Sequence, residues 1–175
     1  MLSVHETEAI PASMDARTAS MAHPSFVEII KQLTPDEARL LRFFATGERL
    51  PMITVRAETK DGRGGQDISS NVSLFGRDAN CDHPHLTPSY IDNLSRLGLI
   101  EIPGMSYTAA DAYEELENDP SVVEMKDQIE ATEDFNVRIT RKMVQVTQLG
   151  KQFIKACVID HRELQQPESP ALPDS

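Results

Sequence analysis

Two short stretches concentrate the side chains best suited to metal or nucleophilic chemistry. Cys81-Asp82-His83-Pro84-His85 and Cys157-Val158-Ile159-Asp160-His161 hold both cysteines and three of the five histidines of this 175-residue chain. A Cys and a His four apart on a helix can share one metal ion, and a Cys-x-His loop can supply the other ligands of a tetrahedral zinc site. Cys81, His83, His85, Cys157 and His161 are therefore the candidate metal ligands. A cysteine nucleophile would draw on the same group, with His83 or His85 as its base. Against both stands the spacing, since neither Cys-x-x-Cys nor His-Glu-x-x-His occurs. A proline-punctuated loop is also a poor platform for a rigid dyad. The plainer reading is a polar loop in one place and a core cysteine with a helix-end histidine in the other, where the histidine suits the helix dipole. Gly62-Arg63-Gly64-Gly65 lacks the Lys-Ser/Thr pair of a phosphate-binding P-loop and reads as a flexible loop. The expectation is a protein that is not an enzyme, with no metal and no cofactor.

Charge is the second source of chemistry. The net charge is -11, and residues 104–134 hold ten carboxylates against Lys126 alone. These lack the Asp-x-Asp-x-Asp-Gly order of a calcium loop. Residues 135–160 answer with Arg138, Arg141, Lys142, Lys151 and Lys155 against Asp160. A field of this sign repels phosphate, which argues against a general binder of nucleic acid or of anionic membranes. No apolar run approaches the ~18 residues of a membrane span, and the polar N-terminus has no signal-peptide core. Two cysteines make no disulfide framework and read as reduced thiols, so a cytoplasmic location is expected.

The elements that must position these residues follow from apolar spacing. Phe26, Ile29, Ile30 and Leu33 mark one helix face. Thr34-Pro35-Asp36-Glu37 combines a cap, a first-turn proline and a capping box, with Ala38, Leu41, Phe44 and Ala45 as the buried stripe and Gly47 as the stop. Met52–Val55 reads as a short strand, 58–67 as a loop, and Ile68, Val72 and Phe75 as a short helix ending near Gly76. Thr87 is expected to cap a helix with Ile91, Leu94 and Leu97 inward, stopped by Gly98 and followed by a strand over 99–102. Residues 142–146 alternate as a returning strand, and Thr147 caps a helix with Leu149, Phe153, Ala156 and Cys157 on one side. Between the strands, residues 104–135 predict two helices broken at Pro120, striped by Tyr113, Leu116, Val122, Val123, Met125 and Ile129.

The expected fold is α+β: a mainly helical, winged-helix-like domain over 23–160, with 104–135 as an acidic helical insertion in the wing. Residues 1–22 and 161–175 read as disordered tails; the second carries three prolines.

Two stretches carry a family likeness. His23-Pro24-Ser25-Phe26-Val27-Glu28-Ile29-Ile30-Lys31-Gln32-Leu33-Thr34-Pro35-Asp36-Glu37-Ala38-Arg39-Leu40-Leu41 resembles the opening signature of the abortive-infection alpha family, a bacterial group. Asp92–Ile102 followed by Val146–Phe153 resembles its second half, in a pattern shared with winged helices such as MarR-type regulators. The resemblance implies an association with phage defence and carries over no catalytic residue.

The favoured function is thus a non-enzymatic binding module with a protein partner, in abortive infection or its regulation, and with homodimerisation as a further expectation. Its expected contact residues are Tyr107, Tyr113, Leu116, Glu114, Glu115, Met125 and Ile129, because striped helices must bury their stripes on something. The alternative is a winged-helix DNA-binding regulator using Ser89, Asn93, Arg96, Arg141 and Lys142. It is disfavoured because the reading helix offers one Arg opposed by Asp92, and the wing carries acid where a DNA reader carries bases.

Overall fold

The structure, a computed structural model, describes residues 23–46, 50–104 and 111–158. The two expected tails and the Gly47 stop lie outside these residues.

Helix α1 (Phe26–Ile30) and helix α2 (Pro35–Phe44) open the described fold. The capping box forms as its sequence requires: Glu37 N–H donates to Thr34 Oγ1 at 3.3 Å, and Glu37 Oε2 accepts from Thr34 N–H at 2.7 Å. Leu40, Leu41 and Phe44 are buried behind it, whereas Ala45, expected in the stripe, is exposed.

Strand β1 (Leu50–Thr59) and strand β2 (Gly65–Val72) correct the reading of a short strand, a long loop and a helix through Ile68 and Val72. In β1, Ile53, Val55 and Ala57 point to one face while Thr54, Arg56 and Glu58 point to the other, the period of a half-covered strand. A tight turn with Gly62 at φ 69° joins the strands, in a left-handed conformation that glycine adopts without a Cβ penalty. Ile68-Ser69-Ser70 has poor helix propensity, and pairing with β1 satisfies its backbone groups instead. Only Phe75–Asp78 (α3) is helical here, for a single turn.

After a 3-10 turn at Pro84–Leu86 comes α4 (Thr87–Arg96). Thr87 does not cap it; its hydroxyl donates to the Pro84 carbonyl at 2.7 Å and locks the preceding turn. Gly98, at φ 72°, ends the helix and leads into β3 (Ile100–Glu101). The two expected helices follow as α5 (Asp111–Glu117) and α6 (Pro120–Glu130), with Asp119 capping the second through Ser121 N–H at 3.1 Å. Strand β4 (Phe135–Val146) is much longer than the 142–146 expected. Thr147 caps α7 (Gln148–Phe153), accepting from Gly150 N–H at 2.9 Å, and a π turn over Ile154–Val158 follows.

The described strands form one antiparallel sheet in the order β2-β1-β4-β3, with the whole of β1 paired to β4 from Leu50↔Val144 to Thr59↔Phe135. The result is a mixed α/β fold with two apolar cores. The first gathers α1, α2, α4 and α7 around Leu40, Phe44, Met52, Ile91, Leu94 and Phe153. The second lies on the opposite side of β1, where Tyr113, Leu116, Val122 and Ile129 from α5 and α6 cover Ile53, Val55 and Ala57. Full burial of each such aliphatic side chain contributes about 1.5–3 kcal/mol, so both cores add to the stability of the sheet. Among the described residues no helix is long and apolar enough to cross a membrane.

Candidate functional site

Asp36 organises the loop that holds the first candidate cysteine. It sits in the first turn of α2 at 3% exposure. Its carboxylate accepts the backbone N–H groups of Asp82 and His83, both at 2.9 Å, and the Tyr90 hydroxyl at 3.1 Å. Arg39 joins Asp36 to Asp82, reaching the latter at 2.6 Å. Burial opposes ionisation of Asp36, but these donors outweigh it and hold the carboxyl well below the usual carboxylate range. In the sequence Asp36 stands out only as a member of the Thr34–Glu37 helix start. No local signal distinguishes it, because its partners other than Arg39 lie more than forty residues downstream.

This clamp decides what Cys81 can do. The thiol is half-buried and sits 3.7 Å from the Asp36 carbonyl. Burial pushes it up, with Asp36 and Asp82 adding to the effect against Arg39. A thiol so disposed is protonated at neutral pH and is a weak nucleophile. His83 Nδ1 approaches Asp36 Oδ2 at 3.6 Å, and the His83 and His85 rings lie 6.1 Å apart. Cys157 is exposed on the π turn, not inside as expected, and partial burial pushes its thiol up as well. His161 lies outside the described residues. Among the described residues no three His, Cys, Asp or Glu side chains converge as metal ligands.

The acidic segment is positioned from the other side of the sheet. Tyr113 and Leu116 are each 1% exposed, Ile129 is buried and Met125 half-buried. These four, expected to meet a partner, instead pack on the sheet, since apolar stripes take the nearest apolar surface and β1 and β4 offer one. Glu114 and Glu115 remain exposed, and Tyr107 lies outside the described residues. Arg77 of α3 reaches the buried Asp119 at 2.8 Å, tying the cap of α6 to the first core. The Ser121 hydroxyl holds the Asp119 carboxyl low against the effect of burial, with Ser121 N–H and Arg77 assisting. Between α2, α3 and α5 lies a cavity of about 240 Å³ whose walls include Phe43, Phe75, Leu116, Asp78 and Glu115.

The outer side of α4 is engaged within the chain. Asn93 donates to Glu37 Oε1 at 2.7 Å and to the Gln32 carbonyl at 3.1 Å. Arg96 donates to Asn93 Oδ1 and to Gln32 Oε1, Asp92 accepts from Asn71 at 2.7 Å, and Ser89 is exposed. Arg141 pairs with Glu117 at 2.6 Å and lies 5.1 Å over the Tyr113 ring. Lys142 faces the other way, into an open groove with Thr54, Arg56, Arg138 and Thr140. The residues expected to read DNA therefore divide between two faces of the molecule.

Fold and site together define a mixed α/β protein whose four-stranded antiparallel sheet carries an acidic helical layer and a clamped helical core. The chain belongs to the abortive infection alpha family, whose model matches residues 10–157. Its fold is similar to the solved structure of an uncharacterized protein from the hydrocarbon-degrading marine bacterium Alcanivorax borkumensis SK2, at 21% identity and a TM-score of 0.50, over 82% of this chain and 96% of that one. No curated protein matches it.

Proposed function

We propose that this chain is a non-enzymatic binding module acting in bacterial abortive infection or its regulation, with a protein as its partner and the cytoplasm as its location. Family membership supports the setting. The observation that carries the partner class is the outer surface of α5 and α6. Their apolar sides are covered by the sheet, and Glu114, Glu115, Glu124 and Asp127 are exposed. Such a surface suits a basic partner, which it attracts at long range. Self-association would take the form of exposed Lys151 of α7 and Lys155 of the π turn after it meeting these carboxylates in a second copy.

In the same reading the fold is winged-helix-like, with α2, α4, β3, β4 and α7 as its parts and 104–135 as an acidic helical insertion between the wing strands. The order β1-β4-β3 within the sheet supports this. The internal engagement of Asn93 and Arg96 favours a protein over DNA.

The test is phage plating on cells expressing the full chain or a Glu114→Lys/Glu115→Lys/Glu124→Lys variant whose folding is checked by circular dichroism. Loss of protection with retained folding is expected. Undiminished protection overturns the proposal. So does submicromolar binding to random duplex with a steep salt slope that Arg96→Ala abolishes, which assigns the chain to DNA.

A further inference from the structure

The face of β1 and β4 opposite α5 and α6 is polar where the first core ends. There, an open groove of about 410 Å³ is lined by Thr54, Arg56, Glu58, Arg138, Thr140 and Lys142, with Asp67 of β2 at its side. Strand register sets the arrangement. Thr54 lies directly opposite Thr140 and Arg56 opposite Arg138. Arg138, Thr140 and Lys142 follow one another at alternate positions of β4, about 7 Å apart. Arg56 is paired with Asp67 and Arg138 with Glu58, each at 2.8 Å. Lys142 has no ion-pair partner among the described residues. The groove is thus locally cationic on a chain of net charge -11.

A second observation is independent of charge. Thr54 is 4% exposed, and its hydroxyl has no hydrogen-bond partner. Buried hydroxyls are ordinarily satisfied, and an unsatisfied one costs stability. Here it belongs to a residue that lines the groove directly opposite Thr140; the hydroxyl lies beneath the groove surface, with no existing hydrogen bond to hold it there.

We propose that this groove binds a phosphate group, held by Lys142 and by the hydroxyls of Thr54 and Thr140. A tetrahedral oxyanion can accept from three directions at once, which a planar carboxylate does less well, and an ammonium is an effective point charge for phosphate. Arg56 and Arg138, fixed by their carboxylates, flank the site. Glu58 and Asp67 repel any second phosphate nearby, so the site takes one group and not a nucleic-acid backbone. The groove has no aromatic wall on which a base could stack. The site is separate from the acidic surface of α5 and α6, and its test does not depend on phage protection.

The experiment titrates the full chain with inorganic phosphate at constant ionic strength, followed by calorimetry and by amide NMR shifts. Saturable binding is expected, with the largest shifts at Thr54, Thr140 and Lys142. Lys142→Ala and Thr54→Val should each weaken it by about tenfold. Thr54→Val removes the unpartnered hydroxyl at similar volume, so it should unfold no more easily than the native chain, which separates lost binding from lost fold. Parallel titrations with a nucleoside monophosphate and with phosphatidic acid vesicles identify the source of the group: whichever binds tightest through the same residues is the preferred form, and each supports the site. A response that follows ionic strength alone, or one unchanged in both variants, overturns the proposal. So does duplex DNA binding through these residues without any phosphate binding.

Discussion

The Tyr113 hydroxyl donates to the Lys142 carbonyl at 2.7 Å, so the first helix of the acidic segment is bolted to the back of the strand that carries the basic groove on its front. The ring of Tyr113 is buried in the second core, and the Arg141 guanidinium lies over it. Acidic helices and basic strand are one mechanical unit. Tyr113→Phe should lower the free energy of unfolding by about 1 kcal/mol, the worth of one hydrogen bond. Tyr113→Ala should cost about 3–5 kcal/mol through the cavity left behind. Urea unfolding followed by circular dichroism measures both.

Removing the acidic segment should be worse still. Joining the strands across 106–133 with a short Gly-Ser turn would expose Ile53, Val55, Ala57, Val137 and Ile139 on one face of the sheet. The expected product aggregates or loses its cooperative thermal transition. A monomer that melts cooperatively would show that the second core is dispensable.

Asp36 predicts acid sensitivity with a defined sign. Its folded carboxyl ionises below the ordinary value of about 3.9, so its contribution is full at neutral pH and fades as pH falls below about 4. Asp36→Asn should melt at a lower temperature than the native chain at pH 7. The gap should narrow toward pH 2, because native stability falls with pH while that of the variant falls less. A gap of constant size across that range would remove Asp36 from the account of acid unfolding.

Two glycines should differ sharply. A Cβ on Gly150 would stand 2.0 Å from the Leu99 carbonyl oxygen, where α7 begins against the end of the helix–strand turn. Gly150→Ala should cost about 2–3 kcal/mol or leave the chain insoluble. Gly104 has no atom within 4 Å of the same position and no positive φ, so Gly104→Ala should change stability by less than about 1 kcal/mol. Thermal melts of the two variants side by side make the comparison.

The thiols should label slowly. Both are pushed up by burial, so at pH 7 each should react with iodoacetamide more slowly than free cysteine, and Cys157, being exposed, faster than Cys81. Each rate should rise with pH and go on rising beyond the point where that of free cysteine levels off. A rate at pH 7 matching that of an activated thiolate would reopen nucleophilic chemistry at that position.

Local order was written in the sequence. The Thr34–Glu37 capping box, the Gly98 stop, the Thr147 cap and the two helices broken before Pro120 all depend on residues within a few positions of one another. Such interactions need no distant partner. The amphipathic stripe of 113–129 was legible for the same reason, since its spacing alone demands a covering surface.

Which surface covers it was decided only by tertiary structure. Ile53, Val55 and Ala57 accept the stripe because β4 runs the full length of β1, and a strand's pairing partner is not encoded in its own spacing. The same holds for β2, whose Ile68 and Val72 sit at helical spacing but whose backbone is satisfied by β1. The Asp36 clamp on Asp82, His83 and Tyr90 and the unpartnered Thr54 in one groove with Lys142 likewise join residues far apart in the chain. Short-range hydrogen bonds and apolar periodicity determined the elements. Burial and strand pairing across long separations decided which of their side chains are anchors, which form the acidic surface, and which remain open to a ligand.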